Sequence, residues 1–169
     1  IASVVIRFSG LFAWVPFFGD QAWYFSSARD AILSGNMPLL GITASITWLH
    51  QGPLWTYLLV PALIFSRFHP LYINLFMVLL NLACIPLAYY LGGIIKDRQT
   101  GIVYAALLGG FYFSVFHSRL AYHTSPIPLF FLLCLILFLR GKSFISGLFL
   151  GFLYQSHLLT LIYWPGFLL

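Results

Sequence analysis

Two of the three acidic residues in this 169-residue chain lie in one short polar stretch, "FFGDQAWYFSSARDAILSGN", residues 17–36. These two residues, Asp20 and Asp30, follow a run of apolar residues. A carboxylate within hydrogen-bond reach of a hydroxyl group can take its proton and act as a general base. A carboxylate can also simply cap a helix, which stabilises a protein by about 1 kcal/mol. The stretch therefore predicts either a general base or a helix cap at Asp20.

Helix start and stop signals bracket the same stretch. They predict a helix over about 20–34, with Asp20 as the N-cap and Gly35 just after the last turn. Tyr24 lies one turn after Asp20, and residues four apart are neighbours on a helix surface. We therefore expect Asp20 and Tyr24 to share one face of this helix.

A second polar stretch, "FHSRLAYHTSPIP", covers residues 116–128. Arg119 is its one cation and lies between His117 and His123. A guanidinium offers a rigid fork of donors that suits phosphate. An arginine at a membrane boundary also reaches lipid headgroups without any further role. The stretch therefore predicts either an anion site or a simple headgroup contact.

A third polar cluster, "YQSH" at residues 154–157, interrupts an apolar run. Polar and ionisable residues inside a membrane usually face a cavity or the interior of a bundle. His157 is therefore expected either to line a cavity or to join neighbouring helices.

The amino-acid composition indicates that the chain lies in a membrane. The chain is 62% hydrophobic, 20% aromatic and only 7% charged, which is far from the composition of a soluble domain. We expect an all-α fold, a polytopic bundle of transmembrane helices with external juxtamembrane helices. The net charge of +5 is spread over short loops. Short cytoplasmic loops of membrane proteins are rich in Lys and Arg, which also interact with anionic lipid. A nucleic-acid partner is therefore not expected.

Crossing a bilayer takes about 20 apolar residues. The sequence predicts five spans, at about 1–18, 71–95, 101–117, 125–139 and 143–169. The chain lacks an initial Met and stops inside an apolar run, so we expect it to be the N-terminal part of a longer membrane module.

Basic loops set the predicted orientation, because short cytoplasmic loops collect Lys and Arg. Two such loops, 96–98 and 140–142, are separated by two spans, so both are placed on the cytoplasmic side. Arg7, near the start of the first span, then leaves residues 19–70 outside. The apolar segment 53–68 contains a proline and is expected to lie along the outer leaflet as a helix.

The order of these elements resembles the N-terminal half of GT-C membrane glycosyltransferases. The resemblance is carried by the acid after the first span and by "ARDAILSGN", "HQGPLWTYLL", "SRLAYHTSPIPLF" and "GFLYQSHLLTL". The chain is most similar to the protein O-mannosyltransferase and aminoarabinose transferase group. This resemblance implies transfer of a sugar from a polyprenyl-phosphate donor in the membrane lipid to a protein, lipid or glycan acceptor. The implied site faces the exterior of the plasma membrane of a bacterium or archaeon.

The resemblance also implies roles for individual residues. Asp20 matches the family's acidic residue, a base or acceptor-binding carboxylate, and Arg119 matches the arginine before the second external acidic position. The residues expected at the donor phosphate are Arg119, His123 and His50. The residues expected to line the substrate cavity are Tyr24, Gln21, Gln51, His117 and His157.

The chain departs from the family pattern at three positions. Gln21 replaces a frequent second acid, "QGPL" at 51–54 replaces Lys-Pro-Pro-Leu, and His123 or Thr124 stands where a second external acid is usual. In the family the two external acids often bind a divalent metal, Mg²⁺ or Mn²⁺. Only Asp20 remains to bind such an ion here, so the sequence leaves metal dependence open.

The implied chemistry needs one carboxylate, because a phosphate leaving group is already a weak base. Asp20 would take the proton from an acceptor hydroxyl as it attacks the anomeric carbon, with inversion, and Arg119 would stabilise the departing phosphate. The rival hypothesis is a transporter, a lipid flippase or a membrane subunit without catalysis. Transporters place ionisable groups near the midplane, whereas here they collect at the external boundary.

Overall fold

The computed structural model describes residues 1–13, 17–43 and 48–168. Within these residues the fold is all-α, as predicted, with one isolated β-bridge between Thr43 and His50. The α-helices are α1 (Ala2–Phe8), α2 (Gly19–Ser34), α3 (Leu54–Phe65), α4 (Pro70–Ile95), α5 (Arg98–Gly110), α6 (Tyr112–Ser118), α7 (Ile127–Leu139), α8 (Ser143–Ser156) and α9 (Pro165–Leu168), and a 3-10 helix covers Leu158–Tyr163.

Among the described residues, α4 alone is long and apolar enough to cross a bilayer as a single helix. It has 26 residues, which at about 1.5 Å per residue exceeds the hydrocarbon thickness. α5 and α6 reach the necessary length only as a pair, and they are bent by 59° at Phe111. Length and composition therefore support one span, the helix α4, or two spans if α5 and α6 together form a second one. The prediction of five spans is not confirmed.

Two of the predicted spans are interrupted. In the segment 1–18 the helix ends at Phe8, shortly before Gly10 at a φ of 61°, and residues 14–16 lie outside the described part of the chain. In the segment 143–169, α8 ends at Ser156 because His157 is extended, with φ −165° and ψ 135°. Neither segment is therefore one continuous helix within the described residues, and the spans at 1–18 and 143–169 stay predictions.

Arg7, which the predicted orientation placed at the cytoplasmic start of a span, is buried in the structure. Its side chain is only 1% exposed and donates hydrogen bonds to the carbonyl oxygens of Gly109 (2.6 Å) and Leu108 (2.8 Å). It also donates to Ser114 Oγ at 3.2 Å, so it holds α1 against the bend between α5 and α6. A cation buried in this way carries no information about sidedness.

Glycines bring α4 and α5 into close contact. A Cβ added to Gly92 would lie 2.6 Å from the Cα of Gly101, and one added to Gly101 would lie 2.4 Å from the carbonyl oxygen of Tyr89. Small residues at a helix interface let two backbones approach each other in this way. The pair therefore has no room for a methyl group at either glycine.

We expect Gly101→Ala to lower the free energy of unfolding by about 1–3 kcal/mol, because the backbone of α4 must move away. Gly93→Ala is the matched control: a Cβ at Gly93 meets no atom within 4 Å, and alanine favours a helix by up to about 1 kcal/mol over glycine. Thermal unfolding of both variants in detergent measures the difference. Equal melting temperatures for the two variants would contradict the close packing.

The segment between α6 and α7, residues 119–126, is fixed against α4 by two asparagine side chains. Asn74 Oδ1 accepts a hydrogen bond from the backbone N–H of Ala121 at 2.9 Å. Asn81 Nδ2 donates to the carbonyl oxygen of Ser125 at 3.2 Å. Both asparagines are buried, so these bonds hold the segment in one position beside the first half of α4.

Candidate functional site

A cleft of about 520 Å³ lies where the start of α2, the 119–126 segment and the start of the 3-10 helix meet. It is lined by the predicted site residues Asp20, Tyr24, Gln51, His123 and His157. They come from four separate parts of the chain, and the fold brings them together. Trp23 and Tyr122 complete the aromatic part of the wall.

Asp20 lies inside the first turn of α2 and is not its N-cap, so that part of the prediction is wrong. The N-cap is Phe18, whose backbone is extended. The Phe18 N–H donates to Oε1 of Gln21 at 2.9 Å, so the glutamine side chain closes the helix start. The exposed carboxylate of Asp20 is therefore free of a capping role and faces the cleft.

Gln21 itself is fully buried and is not part of the cleft wall, contrary to its predicted role. Its Nε2 donates to the carbonyl oxygen of Ala121 at 3.4 Å. Gln21 therefore links the start of α2 to the 119–126 segment, which places Asp20 opposite Tyr122.

Tyr122 is a site residue that the sequence did not predict. Its Oη donates a hydrogen bond to Oδ2 of Asp20 at 2.7 Å. Burial, the hydrogen bond and the charge of Asp20 together raise the pKa of Tyr122 to about 12. The phenol therefore keeps its proton at neutral pH and orients one oxygen of the carboxylate.

Tyr24, His123 and His157 form a second polar group beside Asp20. Tyr24 Oη lies 2.6 Å from Nδ1 of His123, and the rings of His123 and His157 stack with centroids 5.4 Å apart at 11°. Burial, and next the neighbouring His157, lower the pKa of His123 to about 4, while Asp20 acts in the opposite direction. Burial also raises the pKa of Tyr24. Both side chains are therefore neutral at neutral pH.

This environment makes stability depend on pH. An unfolded chain protonates His123 near its ordinary pKa of 6.5, whereas the folded chain resists protonation down to about 4. The unfolded state thus binds more protons within this window, and stability falls as the pH falls. We expect a loss of about 2 kcal/mol between pH 7 and pH 5 from this residue. Melting temperatures of the parent and of His123→Gln across this range measure it, and an equally steep decline in the variant would refute the assignment.

Backbone contacts hold Gln51 at the cleft. Gly41 N–H donates to the Gln51 carbonyl at 2.9 Å, and Gln51 N–H donates to the Ile42 carbonyl at 3.0 Å. A Cβ at Gly52 would lie 2.6 Å from Cβ of Gln155 in α8. The glycine therefore lets this segment approach α8, where the family pattern has a proline.

The remaining predicted residues lie outside the cleft. His50 lines a smaller cavity of about 130 Å³ that shares Gln51 and His157 with it. His117 lines a separate cavity of about 390 Å³ on the other side of the 119–126 segment. Arg119 is half-buried, and its Nε and Nη2 are buried without a hydrogen-bond partner among the described residues.

The side chains around Asp20 do not form a metal site by themselves. Within the described ranges, no three His, Cys, Asp or Glu side chains come close enough to share an ion. Tyr122 occupies one oxygen of Asp20, and Tyr24 occupies Nδ1 of His123. The residues present therefore do not fit the divalent ion that the family resemblance implies.

No family model, curated protein or solved structure matches the chain.

Proposed function

We propose that the protein is a membrane glycosyltransferase that moves a sugar from a polyprenyl-phosphate donor to a hydroxyl group of a protein, lipid or glycan. The observation that carries the proposal is the carboxylate of Asp20. It has no capping role, it faces a cleft of about 520 Å³, and a tyrosine holds one of its oxygens. A general base needs this combination of access and fixed orientation.

The proposed reaction uses Asp20 as the base. The carboxylate takes the proton of the acceptor hydroxyl, and the oxygen forms a bond to the anomeric carbon of the donor. The bond from that carbon to the phosphate oxygen breaks, and the polyprenyl phosphate leaves with the electron pair. Attack opposite the leaving group inverts the configuration of the carbon.

Arg119 is the proposed phosphate contact. A guanidinium with two buried nitrogens that have no partner within the described residues carries an energetic cost that an anion would remove. This supports an anion beside Arg119, although the residue lies outside the cleft wall. The aromatic rings of Trp23 and Tyr122 in the wall offer apolar faces for a sugar ring.

The positions of the basic loops support an external site within a polytopic bundle. Arg140 donates to Tyr90 Oη, and its guanidinium lies 5.2 Å from the Tyr90 ring centroid. Tyr90 lies near the end of α4, close to the 96–98 loop, so both basic loops share one end of α4. The cleft lies near the other end, because Asn74 contacts the 119–126 segment.

We expect Tyr122→Phe to lower kcat about 10–100-fold, because it removes a hydrogen bond of about 1.5–3 kcal/mol to a charged group. Tyr112→Phe, at an exposed site in α6, is the control and should behave as the parent. An unchanged kcat in Tyr122→Phe would remove the positioning role.

The direct test is a structure of the full protein with a polyprenyl-phosphate sugar. Sugar density in the cleft near Asp20, with phosphate density within hydrogen-bond distance of Arg119, is expected. Lipid density beside Tyr154, with none in the cleft at Asp20, would refute the transferase and favour a transporter.

A further inference from the structure

An apolar groove of about 470 Å³ runs between α3 and α4, away from the cleft. Its walls include Phe65 and Leu79, which are 89% and 54% exposed. The polar lining residues Ser66, Arg67 and Tyr72 gather at the end where α3 turns into α4. The lining includes one cation and no carboxylate, so the groove is apolar along its length and positive at its mouth.

The turn at the mouth holds Arg67 in an unfavourable backbone conformation. Arg67 N–H donates to the Ile64 carbonyl and Phe68 N–H to the Leu63 carbonyl, the bonding pattern that usually ends a helix with glycine. Arg67 occupies the glycine position with a φ of 51°, and Phe68 follows at 63°. A left-handed residue other than glycine is strained, because its Cβ lies too close to the following carbonyl oxygen. Arg67 thus occupies a conformation that glycine would adopt without strain.

The groove has the length of one lipid leaflet. Leu79 lies nine residues after Pro70 at the start of α4, which corresponds to about 14 Å along the helix. Half of a hydrocarbon core measures about 15 Å. With α4 across the membrane, the groove extends from the boundary, at Arg67, to near the midplane.

We propose that this groove binds a phospholipid with an anionic headgroup. The headgroup phosphate pairs with Arg67, and one acyl chain lies between α3 and α4. This proposal rests on the membrane placement of the proposed function but not on its transfer chemistry. Charge complementarity favours an anionic headgroup, because a zwitterionic headgroup would place its own positive charge beside that of Arg67.

Native mass spectrometry of the full protein in detergent tests the site. The probes are phosphatidylglycerol, phosphatidylcholine with the same acyl chains, and glycerol phosphate, which has the charge without the chains. We expect about fivefold tighter binding of phosphatidylglycerol than of phosphatidylcholine, from about 1 kcal/mol per arginine near the surface. Glycerol phosphate should not bind. Equal binding of the two lipids, or binding of glycerol phosphate alone, would overturn the proposal.

Arg67→Gly separates lipid binding from folding. Glycine relieves the left-handed strain, so the melting temperature should stay the same or rise, while the preference for phosphatidylglycerol should disappear. Lys142→Gln removes an exposed cation at the other end of the bundle and should keep the preference. Retained preference in Arg67→Gly would refute the headgroup contact.

Two further measurements identify the occupant and separate this site from the cleft. Leu75→Trp fills the groove and should weaken both lipids. If polyprenyl phosphate displaces phosphatidylglycerol in competition, the groove is a binding site for the donor and the phospholipid proposal is refuted. Sugar transfer should persist in Arg67→Gly, so a failure of lipid binding and a failure of the proposed transferase remain distinguishable.

Discussion

Asp20→Asn is expected to lower sugar transfer by about 10²–10⁴-fold, the range that general base catalysis contributes. Asparagine keeps the size of the side chain and still accepts the hydrogen bond of Tyr122 through its oxygen. It does not take a proton from an acceptor hydroxyl at neutral pH. Because the proposed phosphate contact is Arg119 and not Asp20, donor binding should remain. The measurement is the release of polyprenyl phosphate by protein in liposomes, together with donor binding.

Asp30→Asn provides a matched control on the same helix. Asp30 is exposed and pairs with Arg29 at 3.1 Å, and surface ion pairs of this kind contribute little to stability. This variant should fold and react as the parent does. Transfer at the parent's rate in Asp20→Asn would disprove the proposed base, whereas equal losses in both variants would point to damage to α2.

The main residues of the cleft were predictable because polar side chains are rare in this sequence. Asp20 and Tyr24 share a helix face through their spacing of four residues. His157 interrupts an apolar run, where polar groups are expected to face a cavity, whereas His123 was assigned to the donor phosphate through the family resemblance. The structure places all four at one cleft. No local sequence pattern relates His123 and His157 to Asp20 and Tyr24.

Tyr122 could not be identified in this way. Tyrosine is common at membrane boundaries for reasons of packing alone, and 102 residues separate it from Asp20. The cap at Asp20 was mispredicted because Phe18 N–H bonds to the side chain of Gln21. This contact depends on the burial of Gln21 against Ala121, which sequence signals for a helix start do not include.

The helix breaks were also beyond prediction from apolar runs. α4 is recognisable because one long apolar stretch is enough to define it. The bend at Phe111 is bridged locally by the bond from Ser114 Oγ to the Leu108 carbonyl at 2.8 Å, and the side chain of Arg7 contacts it from α1. The break at His157 is stabilised by its own Nδ1, which accepts the Leu159 N–H at 3.1 Å. A hydropathy profile gives no information about any of these contacts.

Arg7→Met is expected to lower the free energy of unfolding by about 3 kcal/mol. The last carbonyls of a helix lack partners within it, and Arg7 supplies donors to Leu108 and Gly109 at the end of α5. Methionine fills similar space but takes the donor away from the buried Gly109 carbonyl, at about 1–3 kcal/mol, whereas the Leu108 carbonyl keeps the bond from Ser114 Oγ. It also removes a cation from the negative end of the helix dipole. The melting temperature should fall by about 6–12 °C.

Arg98→Met is the control, because Arg98 is an exposed cation at the opposite end of the same helix. Its loss should shift the melting temperature by no more than a surface substitution usually does, within about 0.5 kcal/mol. Arg7→Lys keeps the charge but offers a single nitrogen in place of the guanidinium fork, so an intermediate melting temperature is expected. If Arg7→Met and Arg98→Met melt together, Arg7 does not hold the bend. A progressive loss from parent to lysine to methionine would show that its donors, and not its charge alone, fix α1 against α5 and α6.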